Sequence, residues 1–274
     1  MNLRKLQLQI YRALIFGPAT WYIFFKGHYY PDNFYETWQP ISFYHLLSGP
    51  WSQNFLDGLR YLWFIFCQFT FISLYPRFYK ERYYRLLSVT ATLLAILFLG
   101  HDYNFGTIYH GTHLYVAVCL LLSLAPKNRK NRDSPYDWHI PLIKSFISFM
   151  LFSAGLQKIF KGGVDWFTTD ALFIKMALLP AHPPLASLLL EAPLWVHQLL
   201  GFIILIGVQL SAPLALISPV TGLFYFILWS LFHIGASLIF SVGTSFYSQI
   251  FCYFIFLSPA LFIHQKRTIQ RNIS

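Results

Sequence analysis

Lys158 is the residue with the clearest potential for chemistry, because it ends a long apolar stretch of the sequence. It is followed by Lys161, the pair Gly162-Gly163 and the pair Asp165-Trp166. A lysine in this position either extends its ammonium to the lipid headgroups or is placed for a reaction. Burial beside apolar side chains disfavours the ammonium, and a neutral amine can act as a general base. Both interpretations stay open for Lys158, and snorkelling is the commoner one for a lysine at a helix end.

Three histidines form the second group of candidates. His110 and His113 lie one helical turn apart, a spacing compatible with metal binding. No HExxH glutamate accompanies them and Asp102 is the only acidic residue nearby, so the metal signal is thin. His233 lies inside an apolar segment, where an imidazole is costly unless it hydrogen-bonds or lines a wet cavity. Interhelical hydrogen bonding, a reactive site, and haem ligation by His113 with His233 all remain open.

The composition predicts a membrane protein. Hydrophobic residues make up 56% of the 274 residues and charged residues only 11%, which is too apolar for a soluble domain of this length. The net charge of +10 comes from basic residues in loops, so it indicates membrane topology and not nucleic-acid binding. Cys67, Cys119 and Cys252 lie in separate apolar runs without a CxxC pair, which predicts buried thiols. Arg12 lies in the first apolar run and is interpreted as a structural anchor or a snorkelling side chain.

The hydropathy pattern predicts an all-α polytopic membrane helical bundle of about eight transmembrane helices. The predicted segments are Leu6–Phe25, Leu59–Tyr75, Leu86–Gly100, Thr112–Ala125, Pro141–Phe160, Trp195–Ile217, Gly222–Phe240 and Phe246–Ile263. No linker interrupts residues 1–274, which predicts a single domain. Two long connections, Gly27–Asp57 and Val164–Leu190, have patterns typical of interfacial segments that pack over helix ends, and the second predicts an amphipathic helix.

Four clusters of basic residues determine the predicted orientation. The clusters begin at Arg4, Arg77, Lys127 and Lys266. An even number of segments puts all four on one side, which the positive-inside rule assigns to the cytoplasm together with both termini. Lys158, His110 and His113 then lie at external helix ends, and His233 lies in the outer half of its helix. The candidate site is therefore expected at the non-cytoplasmic face.

Several of these stretches together resemble a known family. AGLQK (Ala154–Lys158) is followed by DW, and THLYVAVCLLLSL (Thr112–Leu124) opens with a histidine. SLFHIGASLIFSVGTSFY (Ser230–Tyr247) carries Phe-His and then Phe-Ser-x-Gly, and Arg12 precedes Gly17. In order and spacing these features resemble the vitamin K-dependent gamma-carboxylase superfamily, whose membrane part is the horizontally transferred transmembrane (HTTM) domain. The resemblance extends over essentially the whole chain, and its AG-x-x-K and Phe-His stretches are the specific ones.

The resemblance implies a reaction. In that family the matching lysine deprotonates reduced vitamin K, and the oxygenated product removes a glutamate γ-proton before carbon dioxide adds. It implies that Lys158 is the general base and that His113 and His233 support it. It further implies quinone or substrate contacts by Trp166, His110, Arg12 and Phe232. The implied cofactors are a reduced isoprenoid quinone of the menaquinone or vitamin K type, O2 and, for carboxylation, CO2, with no metal.

The chain resembles a small bacterial-type member of this family. It ends shortly after its last predicted helix, so we expect no C-terminal extra-membrane substrate-binding domain, and Gln157 stands where the carboxylase has a second lysine. The expected activity is a quinol-dependent, oxygenase- or carboxylase-like modification of a peptide or small substrate at the external face of a bacterial cytoplasmic membrane. The expected partners are the lipid bilayer, the lipid quinone and an exported peptide or protein.

Two other classes of function remain open from the sequence. One is a non-catalytic membrane partner that binds a lipid, a quinone or a peptide during the maturation or export of a peptide. The other is a haem- or metal-binding membrane redox subunit. Only the quinol-dependent enzyme requires Lys158 to act as a base, so that role distinguishes it from both of these classes.

Overall fold

The computed structural model describes residues 3–26, 46, 50–101, 110–124, 138–168, 171–178, 183–240 and 247–257 of the chain. Every regular element in these ranges is helical and none is a strand, which confirms the all-α prediction for the described residues. The chain divides into two compact units, Met1–His139 and Ile140–Ser274. The single domain expected from the sequence stays a prediction.

The described residues of the first unit form five α-helices. They are α1 (Leu3–Leu14), α2 (Thr20–Lys26), α3 (Gln53–Ser73), α4 (Glu81–His101) and α5 (His110–Ser123). A π-helical turn, Ile15–Ala19, joins α1 to α2 and contains Pro18, which lacks the N–H that a regular α-helix needs there. Ser52 begins α3 as its N-cap, because its hydroxyl accepts a hydrogen bond from the Phe55 N–H.

The core of the first unit combines large aromatic side chains with a few buried polar pairs. Trp63 on α3 is fully buried and packs against Phe98 on α4 and Tyr115 on α5, with ring centroids 5.8 and 6.2 Å apart. The Tyr115 hydroxyl lies 2.7 Å from Oγ1 of Thr20, and both residues are buried. Such interhelical hydrogen bonds satisfy polar groups that the surrounding apolar side chains cannot.

The second unit contains the remaining helices. They are α6 (His139–Gly162), α7 (Asp165–Thr168), α8 (Ala171–Ala177), α9 (Pro184–Leu190), α10 (Leu194–Phe202), α11 (Pro219–Phe240) and α12 (Tyr247–Tyr253). The α10 helix continues as a π-helix, Ile203–Leu210, followed by a 3₁₀ turn, Ala212–Leu216. The α9 helix and the continuous stretch Leu194–Leu210 meet at an angle of 118°, at a break that contains Pro193.

Four helices, α3, α4, α6 and α11, are long and apolar enough to cross a membrane, and the bent pair formed by α9 with Leu194–Leu210 makes a fifth candidate. The α3, α4, α6 and α11 helices coincide with the second, third, fifth and seventh predicted segments. The bent pair overlaps the sixth predicted segment in part. The fourth and eighth correspond to the shorter apolar helices Thr112–Ser123 and Tyr247–Phe256, and residues beyond 257 lie outside the described part. The first falls within α1, the π-helical turn and α2. The described part of the chain thus has four or five candidate spans, and the full eight stay a prediction.

The two predicted interfacial connections are described only in part. Residues 27–45 and 47–49 lie outside the described part of the first connection. Trp51 at its end donates its backbone N–H to Nε2 of His101 at 3.1 Å and stacks on that ring at the end of α4. The second connection contains α7, α8 and α9, three short helices, with residues 169–170 and 179–182 undescribed.

Candidate functional site

Three residues of the AGLQK…GG stretch share one face of α6, because they are spaced by three and four positions. They are Gly155, Lys158 and Gly162. A Cβ atom on Gly155 would lie 3.0 Å from Cβ of Gln209 and from Cδ2 of Leu210. A Cβ atom on Gly162 would lie 3.0 Å from Cδ1 of Trp166. The glycines therefore let a π-helical segment and an indole approach α6 on either side of Lys158.

Lys158 contacts one residue of the π-helical segment and the indole that approaches α6. Its Nζ donates a hydrogen bond to Oε1 of Gln209 at 2.6 Å, and Nζ lies 5.1 Å from the centroid of the Trp166 ring. Lys158 and Trp166 are half-buried, whereas Gln209 is only 4% exposed. A short hydrogen bond to a carbonyl oxygen and an indole face both stabilise an ammonium. A neutral amine at the same position still donates one N–H to Gln209 and keeps its lone pair for an incoming proton.

The turn after α6 brings Trp166 back toward Lys158. Gly163 has φ +56°, a left-handed conformation that glycine adopts without steric cost, and its N–H donates to the Ile159 carbonyl at 2.8 Å. The turn is held from the other side as well, because Gly201 lies so close to the Trp166 carbonyl that a Cβ atom there would overlap it. The α6 helix ends at this glycine pair, and the turn positions the indole beside Lys158.

Gln209 is the member of this site that sequence reasoning missed. It belongs to the π-helix Ile203–Leu210, a geometry that is rare and is frequent at functional sites. A signal was available, since a glutamine within a strongly apolar run must find a polar partner when it is buried. The sequence gives no means of choosing that partner, because Lys158 precedes it by 51 positions.

His233 belongs to a second polar group of the same unit. Its Nε2 lies 2.6 Å from the Tyr253 hydroxyl, and that hydroxyl donates to Oε1 of Gln249 at 3.0 Å. Since a hydroxyl carries one proton, this arrangement makes Nε2 of His233 the donor to Tyr253. His233 and Tyr253 are buried. The arrangement holds the imidazole in one orientation and one tautomer, as interhelical hydrogen bonding requires and as a supporting role beside a base would also require.

Trp229 connects the two polar groups. Its Nε1 donates a hydrogen bond at 3.1 Å to the carbonyl of Val208, which directly precedes Gln209. The centroid of its ring lies 5.2 Å from that of Phe256 and 5.4 Å from that of Tyr253. Trp229 also precedes His233 by one helical turn on α11. Phe232, the neighbour of His233, is half-buried with its ring centroid 4.9 Å from the imidazole. Trp229 thus links the π-helical segment that carries Gln209 to the Tyr253 and His233 pair through one hydrogen bond and its ring contacts.

The other predicted site residues belong to the first unit. His113 is half-buried on α5, and His110 begins that helix, with its side chain outside the described part. Arg12 is buried, with its guanidinium carbon 4.2 Å from the centroid of the Tyr84 ring. Lys158, Trp166, Phe232 and His233 belong to the second unit, so each unit carries part of the predicted set.

Arg12 takes part in a polar chain at the beginning of α4. Its Nη1 donates to the Tyr79 hydroxyl at 3.4 Å, and Tyr79 in turn donates to Oε2 of Glu81. Burial, together with the hydrogen bond to Glu81, raises the pKa of Tyr79 to about 12, so this hydroxyl is protonated and donates at neutral pH. These contacts give Arg12 the anchoring role that the sequence predicts, and contact with a quinone stays a prediction.

The described residues contain no group of three or more histidine, cysteine, aspartate or glutamate side chains placed to hold a metal ion. Cys67, Cys119 and Cys252 are buried thiols, which confirms the prediction for these residues.

Comparisons with known proteins identify no relative of this chain. No protein-family model matches the chain, and neither a curated protein nor a solved structure matches it significantly.

Proposed function

We propose that this chain is an integral membrane enzyme in which Lys158 is the general base that deprotonates a reduced isoprenoid quinone. The observation that carries the proposal is the placement of Nζ of Lys158 between Oε1 of Gln209 and the ring of Trp166. A lysine that merely snorkels needs neither a buried amide nor an indole, because water and headgroups satisfy its ammonium.

The residues around Lys158 fit a quinol. The half-buried face of Trp166 can stack on an aromatic ring, and Nζ of Lys158 lies beside that face. When bound, the reduced quinone supplies an acidic hydroxyl and the electrons that reduce O2. Lys158 accepts the hydroxyl proton on Nζ while Gln209 holds one of its N–H groups, and a dry surrounding strengthens both interactions. His233, fixed by Tyr253, and His113 are assigned supporting roles.

The proposal includes a topology. Eight transmembrane segments, with both termini in the cytoplasm of a bacterium, place Lys158 near the external face. Two observations support this arrangement: the described residues contain four or five candidate spans, and the four basic clusters share one side of the membrane when the number of segments is even. The substrate is then a peptide or small molecule outside the cytoplasm, with CO2 required only if the modification is a carboxylation.

The test compares three proteins in lipid nanodiscs supplied with reduced menaquinone and O2. They are the wild type, Lys158→Met and Lys161→Met. Methionine is close to lysine in length but cannot take a proton, and the exposed Lys161 lies on the same helix, so its replacement controls for loss of a positive charge. Chromatography separates the quinol from its oxidised and epoxidised products.

We expect the wild type and Lys161→Met to consume quinol, and Lys158→Met to lose at least a hundredfold in rate, the scale of general-base catalysis. An unfolding curve for each protein verifies that the variants are folded. If Lys158→Met turns over quinol like Lys161→Met, Lys158 is not the base. If no protein turns over quinol but all bind it equally, the chain is a binding partner and the enzymatic proposal fails.

A further inference from the structure

A cavity of about 500 Å³ lies in the first unit, at the turn that joins α3 to α4. Its apolar wall includes Phe69, Ile72 and Leu87, and its polar side includes Arg77, Lys80 and the ring of Tyr83. The volume falls in the range typical of small-molecule pockets. The cavity therefore has an apolar part and a cationic part, as a site for an amphiphilic anion requires.

The position of this turn favours a lipid over a soluble anion. The α3 and α4 helices each have 21 residues and are candidate membrane spans, so residues 74–80 between them lie at the membrane boundary. Phe69 and Ile72, in the last turns of α3, are 53% and 51% exposed within the chain. Side chains of this kind at a span's end contact acyl chains, while the turn meets the phosphates.

The charge of the segment is complementary to phosphate. Residues 74–87 contain four basic side chains and one acidic side chain, Glu81. Glu81 is already engaged, because it accepts a hydrogen bond from Tyr79 and pairs with Nε of Arg85 at 3.3 Å. Nζ of Lys80 lies 5.4 Å from the centroid of the Tyr83 ring, which holds this ammonium at the cavity, and Arg77 is exposed.

We propose that this cavity binds an anionic phospholipid, with Arg77 and Lys80 on its phosphate and the Phe69, Ile72 and Leu87 wall along the start of an acyl chain. Each basic side chain near an anionic lipid surface contributes about 1 kcal/mol, which corresponds to about a fivefold change in affinity. The site rests on residues of the first unit alone, so it does not depend on the activity proposed for Lys158.

The experiment is a native mass spectrometry titration of the full chain in detergent. Phosphatidylglycerol is the test lipid, phosphatidylcholine with the same acyl chains is the neutral lipid, and glycerol 3-phosphate is the soluble phosphate. The test variant combines Arg77→Gln with Lys80→Gln. The control combines Arg82→Gln with Lys161→Gln, which removes the same charge from two exposed positions that do not line the cavity.

We expect the wild type to bind one phosphatidylglycerol more tightly than phosphatidylcholine. The test variant should weaken this binding by about thirtyfold and the control by less than threefold. Equal losses in the two variants would show general attraction by net charge and would overturn the proposal. Equal binding of the two lipids by the wild type, or displacement of phosphatidylglycerol by an equimolar amount of glycerol 3-phosphate, would overturn it as well.

Discussion

The packing of α6 on the π-helical segment can be tested with a single methyl group. Gly155 is buried, and a Cβ atom on it would lie 3.0 Å from side-chain atoms of Gln209 and Leu210. Gly235 in the C-terminal half of α11 is a matched control, because a Cβ atom there would meet no atom of the described residues within 4 Å. Gly155→Ala and Gly235→Ala therefore make the same chemical change in two long apolar helices, with and without a neighbour.

The expected difference follows from two opposing free energies. Alanine in place of glycine stabilises a helix interior by about 0.5 to 1 kcal/mol, and both variants gain this amount. Insertion of a methyl group into a well-packed contact costs about 1 to 3 kcal/mol, and only Gly155→Ala incurs that cost. Gly155→Ala should therefore be less stable than Gly235→Ala by about 1 to 3 kcal/mol. Gly201→Ala should be less stable still, because its methyl group meets the Trp166 carbonyl, which is backbone and cannot rotate away.

The assay is unfolding by SDS in mixed micelles, followed by tryptophan fluorescence, with the wild type measured in parallel. The predicted order of the free energies of unfolding is Gly235→Ala, then Gly155→Ala, then Gly201→Ala. If Gly155→Ala is as stable as Gly235→Ala, α6 does not contact the π-helical segment at this distance. The hydrogen bond between Lys158 and Gln209 would then lose its structural basis, and the proposed base would lose its position.

Two further predictions concern buried side chains, and the first uses the same unfolding assay. Tyr253→Phe leaves Nε2 of His233 and Oε1 of Gln249 without the hydroxyl between them, so it should cost about 1 to 3 kcal/mol of unfolding free energy. Tyr225→Phe, at a buried tyrosine that packs on Trp229, should change stability by less than about 0.5 kcal/mol, and equal effects would contradict the hydrogen-bonded role of Tyr253. The three cysteine thiols should resist maleimide in the folded protein and react after unfolding, since each is at most 1% exposed; rapid labelling of the native protein would contradict this burial.

The parts of the fold that depend on length and hydropathy were predictable from the sequence. The α3, α4, α6 and α11 helices fall where apolar runs of membrane length lie, because such a run must satisfy its backbone hydrogen bonds within a helix. The bend of 118° between α9 and Leu194–Leu210 was not predicted, although Pro193 lies at the break. A proline permits either a kink or a chain reversal, and packing elsewhere in the unit decides between them.

The candidate site shows the same division. The break at Gly162-Gly163 was predictable because glycine pairs interrupt helices, and it places Trp166 beside Lys158. The contact with Gln209 was not, because it depends on a through-space approach that Gly155 permits. The face formed by Gly155, Lys158 and Gly162 is visible in the sequence as positions i, i+3 and i+7. The function of this face as a packing surface becomes clear only when its two neighbours, the π-helical segment with Gln209 and the indole of Trp166, are known.

The two contacts of Lys158 lead to a final prediction that separates a base from a cation. Both Oε1 of Gln209 and the Trp166 ring stabilise an ammonium, so an alternative role for Lys158 is to hold an anion without transferring a proton. Lys158→Arg distinguishes these roles. Arginine keeps the charge and the contact with the indole but does not give up its proton at neutral pH.

A base at position 158 predicts that Lys158→Arg turns over quinol no faster than Lys158→Met, while quinone binding, measured by quenching of tryptophan fluorescence, stays within several-fold of the wild type. An anion-holding lysine predicts that Lys158→Arg retains a tenth or more of the wild-type rate, because a fixed positive charge is all that role requires. Retained turnover in Lys158→Arg would thus refute proton transfer by Lys158 while leaving the site itself in place. Loss of turnover together with loss of quinone binding would show instead that the larger guanidinium blocks the site.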